Sequence, residues 1–231
     1  MLRKNQPTKR EFLVYCALKN GECEAELFGR NRLFDVALND YGDVPKVLSR
    51  AEWQFTGKTE KLIGALLNLP KINKEYSIYA FIDDDLKISC ADLNRTFLIG
   101  KKHQLDLFQP ALTRNSIYSH AHTVQSPKLK GIREVPFVEV MMPFFSSRAL
   151  AVCYPSFGES PSSWGLDKHA WPVLLYGTKL WVIDSVAAQH LRPLRSRKPE
   201  NAFNPNARWD LDNMRRKYRE SGKIPKNPFI K

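Results

Sequence analysis

The chain has 231 residues, 43% hydrophobic and 26% charged, enough to bury a substantial core and far from the composition of a disordered chain. Its formal charge is +12, of which +8 falls between Leu191 and Lys231, where 12 Lys+Arg face 4 Asp+Glu. Four cysteines without a CxxC spacing exclude a zinc ribbon or a dithiol redox motif, and no apolar run approaches the ~20 residues of a membrane span.

The cysteines Cys16, Cys23, Cys90 and Cys153 therefore read as free, buried thiols in a reducing compartment. Phe12–Leu18 is an apolar run behind a basic start, but no small-residue cleavage site follows it. The expectation is a cytoplasmic protein, with the basic tail able to touch the anionic inner face of a membrane. A basic tail attracts phosphates on nucleic acid, lipid or a nucleotide; its plainer role is to be a solvated, solubilising segment.

In chain order, Glu11–Leu18 and Leu33–Leu38 predict strands, and Asn39–Asp43 a turn. Leu62, Ala65, Leu66 and Leu69 share one side of a helix predicted over Thr56–Leu69, which Pro70 stops. Tyr76–Ile82 predicts a short apolar strand that runs into Asp83-Asp84-Asp85, and Ala91–Ile99 a helix. Leu105–Ala111 and Ile132–Met141 predict strands, and Ser146 caps a helix reaching Cys153. Ser163–Tyr176 is a helix interrupted by Pro172, and Lys179–Asp184 a late strand. In the tail, Asn204-Pro205 opens a helix, Leu211, Met214 and Tyr218 share its narrow apolar face, and Gly222 closes it. Such a face suits packing on the body rather than insertion into a bilayer. Alternating strands and helices predict an α/β fold with a mostly parallel sheet between helices. The division is a domain over 1–193 and a basic helical extension over 194–231. In such sheets ligands bind at the carboxyl ends of strands, where the aspartate triplet falls.

Three adjacent carboxylates repel one another, and a hard divalent cation such as Mg²⁺ or Mn²⁺ relieves that with oxygen ligands. Alternate residues of an extended segment point the same way, so Asp83 and Asp85 can face one ligand. A cation there would bridge a diphosphate leaving group; a solvated acidic turn is the plain alternative. Asp167, after Ser163-Trp164-Gly165-Leu166, is either a first-turn helix acid or a general base for an acceptor hydroxyl. His190 follows the last strand and completes a cation site only if it returns to Asp85. Gly57-Lys58-Thr59 is not a phosphate loop, because Glu52 stands where that motif needs glycine. Lys58 and Lys61, near a helix start, remain candidates for donor phosphates. His120 and His122 form a weak metal pair, and Glu139 inside an apolar run needs a partner, either an acceptor group or an arginine.

Four blocks between Tyr76 and Pro193 resemble a plant and bacterial family, domain-of-unknown-function family 707, which is glycosyltransferase-like. They are Phe81-Ile82-Asp83-Asp84-Asp85-Leu86, Gln109-Pro110-Ala111-Leu112, Phe137-Val138-Glu139-Val140-Met141-Met142-Pro143, and Trp164-Gly165-Leu166-Asp167 with Val182-Ile183-Asp184 and His190. More broadly the chain resembles metal-dependent glycosyltransferases of the GT-A (Rossmann-like) fold. The resemblance implies Mn²⁺ or Mg²⁺ on Asp85 and His190 and a nucleotide-sugar donor on Asp83, which can also reach the metal; Asp84, Lys58, Lys61 and His120 are further donor-binding candidates. It implies Asp167 as base, on the acceptor side with Trp164 and Gly165; Glu139 is a further candidate for contact with the carbohydrate or glycolipid acceptor. An inverting displacement is the expected mechanism, and the basic tail and the class together suit surface polysaccharide or glycolipid synthesis. Leu166-Asp167 stands where that segment often carries two acids. Rival expectations are a sugar-phosphate nucleotidyltransferase, which the stretch after Leu18 disfavours by lacking a glycine-rich basic loop, a nucleic-acid-binding protein, and an inactive homologue that binds sugar nucleotides.

Overall fold

The computed structural model of the chain describes residues 10–48, 50–59, 61–128, 131–192 and 207–220. β1 (Phe12–Leu18), β2 (Phe34–Asp40), β3 (Trp53–Thr56) and β4 (Ile78–Asp83) lie side by side in the order β3-β2-β1-β4, all parallel. Every residue of β1 and β2 is buried, as expected of strands covered on both faces. Beyond β4 the sheet continues through β8 (Phe144–Ser146) and β6 (Leu107–Leu112) to β9 (Leu180–His190), with β8 antiparallel to both neighbours. β6 and β9 run parallel, while β5 (Leu86–Lys87) and β7 (Ile132–Val135) pair antiparallel to β9. The α/β class and the large, mostly parallel central sheet are as expected, with antiparallel pairs gathered in its second half.

One face is filled by Phe12, Phe34, Phe97, Phe108 and Phe144 beneath α2 (Cys90–Lys102). Phe12 stacks on Phe97 at 4.7 Å, and Gly100 lets the Phe108 ring pass where a Cβ would lie 2.1 Å from it. α2 is fixed by its ends: Ser89 accepts the Asp92 N–H at its start, and Lys101 and Lys102 complement the dipole at its finish. The opposite face carries Tyr15, Phe81, Phe145, Phe157 and Trp171 beneath α1 (Lys61–Asn68), α3 (Ser147–Cys153) and α4 (Trp171–Leu174). Ser146 caps α3 by accepting the Ala149 N–H at 3.1 Å.

Several boundaries differ from the sequence reading. Trp53–Thr56 is a strand on the edge of the sheet, so the helix starts only at Lys61. Asn39 and Asp40 complete β2 rather than opening a turn. The strand predicted over Ile132–Met141 stops at Val135, because Pro136 has no N–H for the ladder. The following carbonyls of Met141 and Pro143 accept instead from Asp83 and Phe81, lining the end of β4. Ser163–Tyr176 becomes a wide turn of helix over Leu166–Ala170 that leads into α4. The last strand is longer than Lys179–Asp184 and carries His190 at its end.

The tail helix α5 (Ala207–Glu220) packs on the body through Met214 and Tyr218. Asp210 is 2% exposed and accepts the Ser162 N–H at 2.9 Å, while Tyr218 donates to Glu159 at 2.7 Å. Its expected Asn204-Pro205 start and Gly222 stop lie outside the described residues, as does the 193/194 boundary. Among the described residues no helix is long and apolar enough to cross a membrane.

Candidate active site

The parallel strands β1, β2 and β4 deliver their carboxyl ends to one edge of the sheet, and the triplet stands there. Each of its carboxylates meets a different partner. Asp83, the last residue of β4, receives the Lys61 ammonium at 2.8 Å. Lys61 is 5% exposed and also donates to the Val140 carbonyl. Burial pushes the Asp83 carboxyl above its usual range, the Lys61 charge opposing and Asp85 adding to it. Asp84 turns inward, where the Tyr41 hydroxyl donates to it at 3.2 Å and Arg192 lies 3.4 Å away. Burial raises its carboxyl too, against the pull of Arg192. Repulsion within the triplet is therefore relieved in part by the protein's own cations.

Asp85 differs. The β5–β9 pairing sets Leu86 opposite His190, so the imidazole does return to the triplet, with Nε2 3.4 Å from Asp85 Oδ2. His190 Nδ1 donates to the Ile117 carbonyl at 2.5 Å, which assigns Nε2 to face the carboxylate. Burial would lift the Asp85 carboxyl, but His190 and Arg192 outweigh it and hold it below the usual range. Its other oxygen, Oδ1, is buried without a hydrogen-bond partner among the described residues. An orphaned carboxylate oxygen next to an imidazole nitrogen oriented by a backbone carbonyl has the donor chemistry of a divalent-cation half-site. Among the described residues, no group of three or more His, Cys, Asp or Glu side chains is arranged to hold a metal unaided. Any cation would need further ligands from solvent or a diphosphate.

The acceptor-side candidates sit across the Val140 peptide. Its carbonyl accepts from Lys61, and its N–H donates to Asp167 Oδ2 at 3.3 Å, linking the triplet to Asp167 through the backbone of one residue. Burial pushes the Asp167 carboxyl up to about 6, with the Val140 and Lys168 N–H groups opposing. The turn before it is strained: Ser163 has φ +64° and Gly165 φ +86°. A Cβ on Gly165 would lie 2.7 Å from Met214 Cβ, so α5 rests directly on this turn. Trp164 is partly exposed, held by Ser160 and Ser162. Glu139, 3% exposed, accepts from the Thr123 hydroxyl at 2.6 Å, and its N–H donates to Gln109 at 2.7 Å. Burial pushes it up to about 7, the Thr123 bond opposing and the nearby Asp167 adding. Among the described residues its hydrogen-bond partners are thus Thr123 and Gln109, and no arginine.

Asp83, Asp84, Asp85, Lys61, His190, Glu139 and Asp167 are therefore neighbours in one network. Lys58 is set apart: it is exposed and pairs with Asp43 and the Gly42 carbonyl. His120 lies tilted beside His122 and meets the Phe137 ring edge-on, and burial holds its imidazole down to about 4. Sequence reasoning missed Asp40, 1% exposed, which accepts the N–H groups of Asn20, Gly21, Gly42 and Lys46 at 2.7–3.0 Å and so fixes both loops beside the triplet. An aspartate two residues before a glycine, at the end of an apolar strand, was the available signal. Tyr41, Arg192 and the Val140 peptide carried no comparable signal.

No protein-family model matches the chain, and no curated protein matches it in sequence. Solved structures do. The crystal structure of S. aureus TarS aligns over 90% of this chain with a TM-score of 0.52 at 12% identity, and this chain spans 39% of it. TarS 1–349 in complex with UDP aligns over 96% of this chain (TM-score 0.51, 12% identity, 75% of that chain). The complex of TarS 1–349 with UDP-GlcNAc aligns over 92% (TM-score 0.50, 10% identity, 74% of that chain). At that identity the likeness is one of fold, and the fold is the GT-A-like α/β architecture.

Proposed function

We propose that the chain is a nucleotide-sugar-dependent glycosyltransferase that transfers a sugar from a nucleoside diphosphate to an acceptor hydroxyl. The observation that carries this is the link, through the backbone N–H and carbonyl of Val140, between the acidic triplet at the end of β4 and Asp167. It puts a diphosphate-side cluster and a desolvated carboxyl on either side of one short segment. A fold like that of TarS, crystallised with UDP and UDP-GlcNAc, supports the same reading. Asp167 takes the proton of the acceptor hydroxyl as its oxygen attacks the anomeric carbon. A carboxyl raised to about 6 is ionised at neutral pH yet basic enough for that transfer. Lys61 holds Asp83 towards the donor and meets negative charge on it. Asp84 fixes the turn from within through Tyr41 and Arg192. Glu139, Trp164 and Gly165 shape the acceptor side, for a carbohydrate or glycolipid hydroxyl. With one base and no second carboxylate assigned as nucleophile, a single displacement inverts the anomeric centre.

Asp85 and His190, with Asp83 nearby, fit one Mn²⁺ or Mg²⁺, the unbonded Asp85 Oδ1 being the opening for it. Such an ion, when bound, supplies charge neutralisation at the departing diphosphate. The test is binding and slow hydrolysis of a panel of nucleotide sugars, with Mn²⁺ and with EDTA, for the native chain and Asp85→Ala. Turnover of one donor, dependent on the cation and lost in the variant, is expected. Binding of no donor under either condition would sink the proposal.

A further inference from the structure

The outward face of α5 has no use in the site. Arg208, Trp209, Arg215 and Arg216 are exposed along it, Arg219 flanks them, and Asp212 is the one exposed acid among them. Trp209 is 62% exposed, unusual for the largest apolar side chain in so polar a helix. Successive positions at 100° per residue place Arg208, Asp212, Arg215, Arg216, Arg219 and Trp209 within one third of the circumference, opposite Met214 and Tyr218. The inner face is fully committed, through Met214 against Gly165, Asp210 under Ser162, and Tyr218 and Lys217 on Glu159.

We propose that this outer face docks the protein on an anionic lipid bilayer. Arginines around an exposed tryptophan on one convex helix face match a layer of lipid phosphates over an apolar boundary. The guanidinium groups take the phosphates, and the indole takes the interface between headgroups and chains. Nucleic acid would be served better by a concave basic groove with several stacking aromatics, whereas this surface is a single ridge with one. Because α5 rests on the turn carrying Asp167, docking places the acceptor side of the site about one helix diameter from the membrane. That last consequence, that the acceptor is held by the membrane, rests on the transferase reading; the docking surface does not.

The test is co-sedimentation of the full chain with phosphatidylcholine vesicles, with and without phosphatidylglycerol, across a salt series. Binding only to the anionic vesicles, weakening as salt rises, is expected. Arg208→Glu/Arg215→Glu/Arg216→Glu should weaken partitioning about a hundred-fold, and Trp209→Ala should remove a blue shift of tryptophan emission on vesicle addition. Circular dichroism and donor hydrolysis in lipid-free solution should match the native chain in both variants, which separates failed docking from failed folding or a failed transferase reading. Equal binding to neutral vesicles, no binding, or an unaffected triple variant would overturn the proposal. So would duplex DNA or RNA that binds the same face more tightly than the vesicles and displaces them.

Discussion

In the parallel half of the sheet, buried carboxylates are saturated. Asp40 gives its two oxygens to four backbone N–H groups, and Asp35 is gripped by Arg10, Lys74 and Tyr76. Those bonds outweigh the burial of Asp35 and hold its carboxyl below the usual range. At Asp85, Glu139 and Asp167 the pattern reverses. Asp85 leaves one oxygen unbonded, and burial lifts Glu139 and Asp167 because their few hydrogen bonds do not compensate. The same residue type thus plays two parts, told apart by how completely its charge is solvated by the fold. Saturated carboxylates hold loops; undersaturated ones leave coordination or proton capacity for a ligand.

The sharpest break of this comparison is Asp167→Asn. Removing the base while keeping the shape should lower turnover about 10³-fold, with little change in donor affinity measured by calorimetry. Native turnover would dismiss Asp167 as the base. On the saturated side, Asp40→Ala leaves four N–H groups without their acceptor, the buried one of Gly42 among them, and should cost about 2 kcal/mol in urea denaturation. A cost below about 1 kcal/mol would mean that its loops hold without it. Third is the pH profile. A base titrating near 6 makes log kcat/KM rise about one unit per pH unit below 6 and level off above it; a profile flat from pH 5 to 8 would assign the proton elsewhere.

The smallest effect runs the other way. Between the unfolded carboxylate range and their raised folded values, Asp167 and Glu139 hold protons that the unfolded chain has released. Their contribution to stability is therefore present at low pH and lost as pH rises through about 6 and 7. At pH 8, Glu139→Gln and Asp167→Asn should each stabilise by about 1 kcal/mol, read as a higher Tm. A lower Tm in both would place these carboxyls with the saturated class.

Local signals were legible in the sequence. The runs of β1, β4 and β6, the Ser89 and Ser146 caps and the apolar face of α5 act over a few residues, although only Ser146 announced itself as a cap beforehand. What stayed hidden depends on distant partners. Lys61 looked like a phosphate ligand because nothing local shows Asp83, 22 residues on, closing over it. β3 hid behind a Thr56-Gly57-Lys58 stretch that imitates a helix start, since an edge strand draws its hydrogen bonds from β2. The apolar run Phe137–Met142 has strand composition, yet Gln109, Lys61 and Asp167 claim the polar backbone groups of Glu139 and Val140. In the triplet, charge and position were plain, but its relief by Lys61 and Arg192 was not.

The contact of Met214 on Gly165 also bears on the order in which the site is made. Synthesis proceeds from the N-terminus, so residues 12–83, which carry the parallel strands, leave the ribosome before the rest of the chain. The turn that bears Asp167 then waits for α5, more than forty residues later, to settle on its left-handed glycine. A ribosome-bound chain lacking that helix would carry the aspartate triplet beside an Asp167 whose turn has no helix resting on it. The two halves of the candidate site thus gain their supports at different times, and the support of Asp167 comes last.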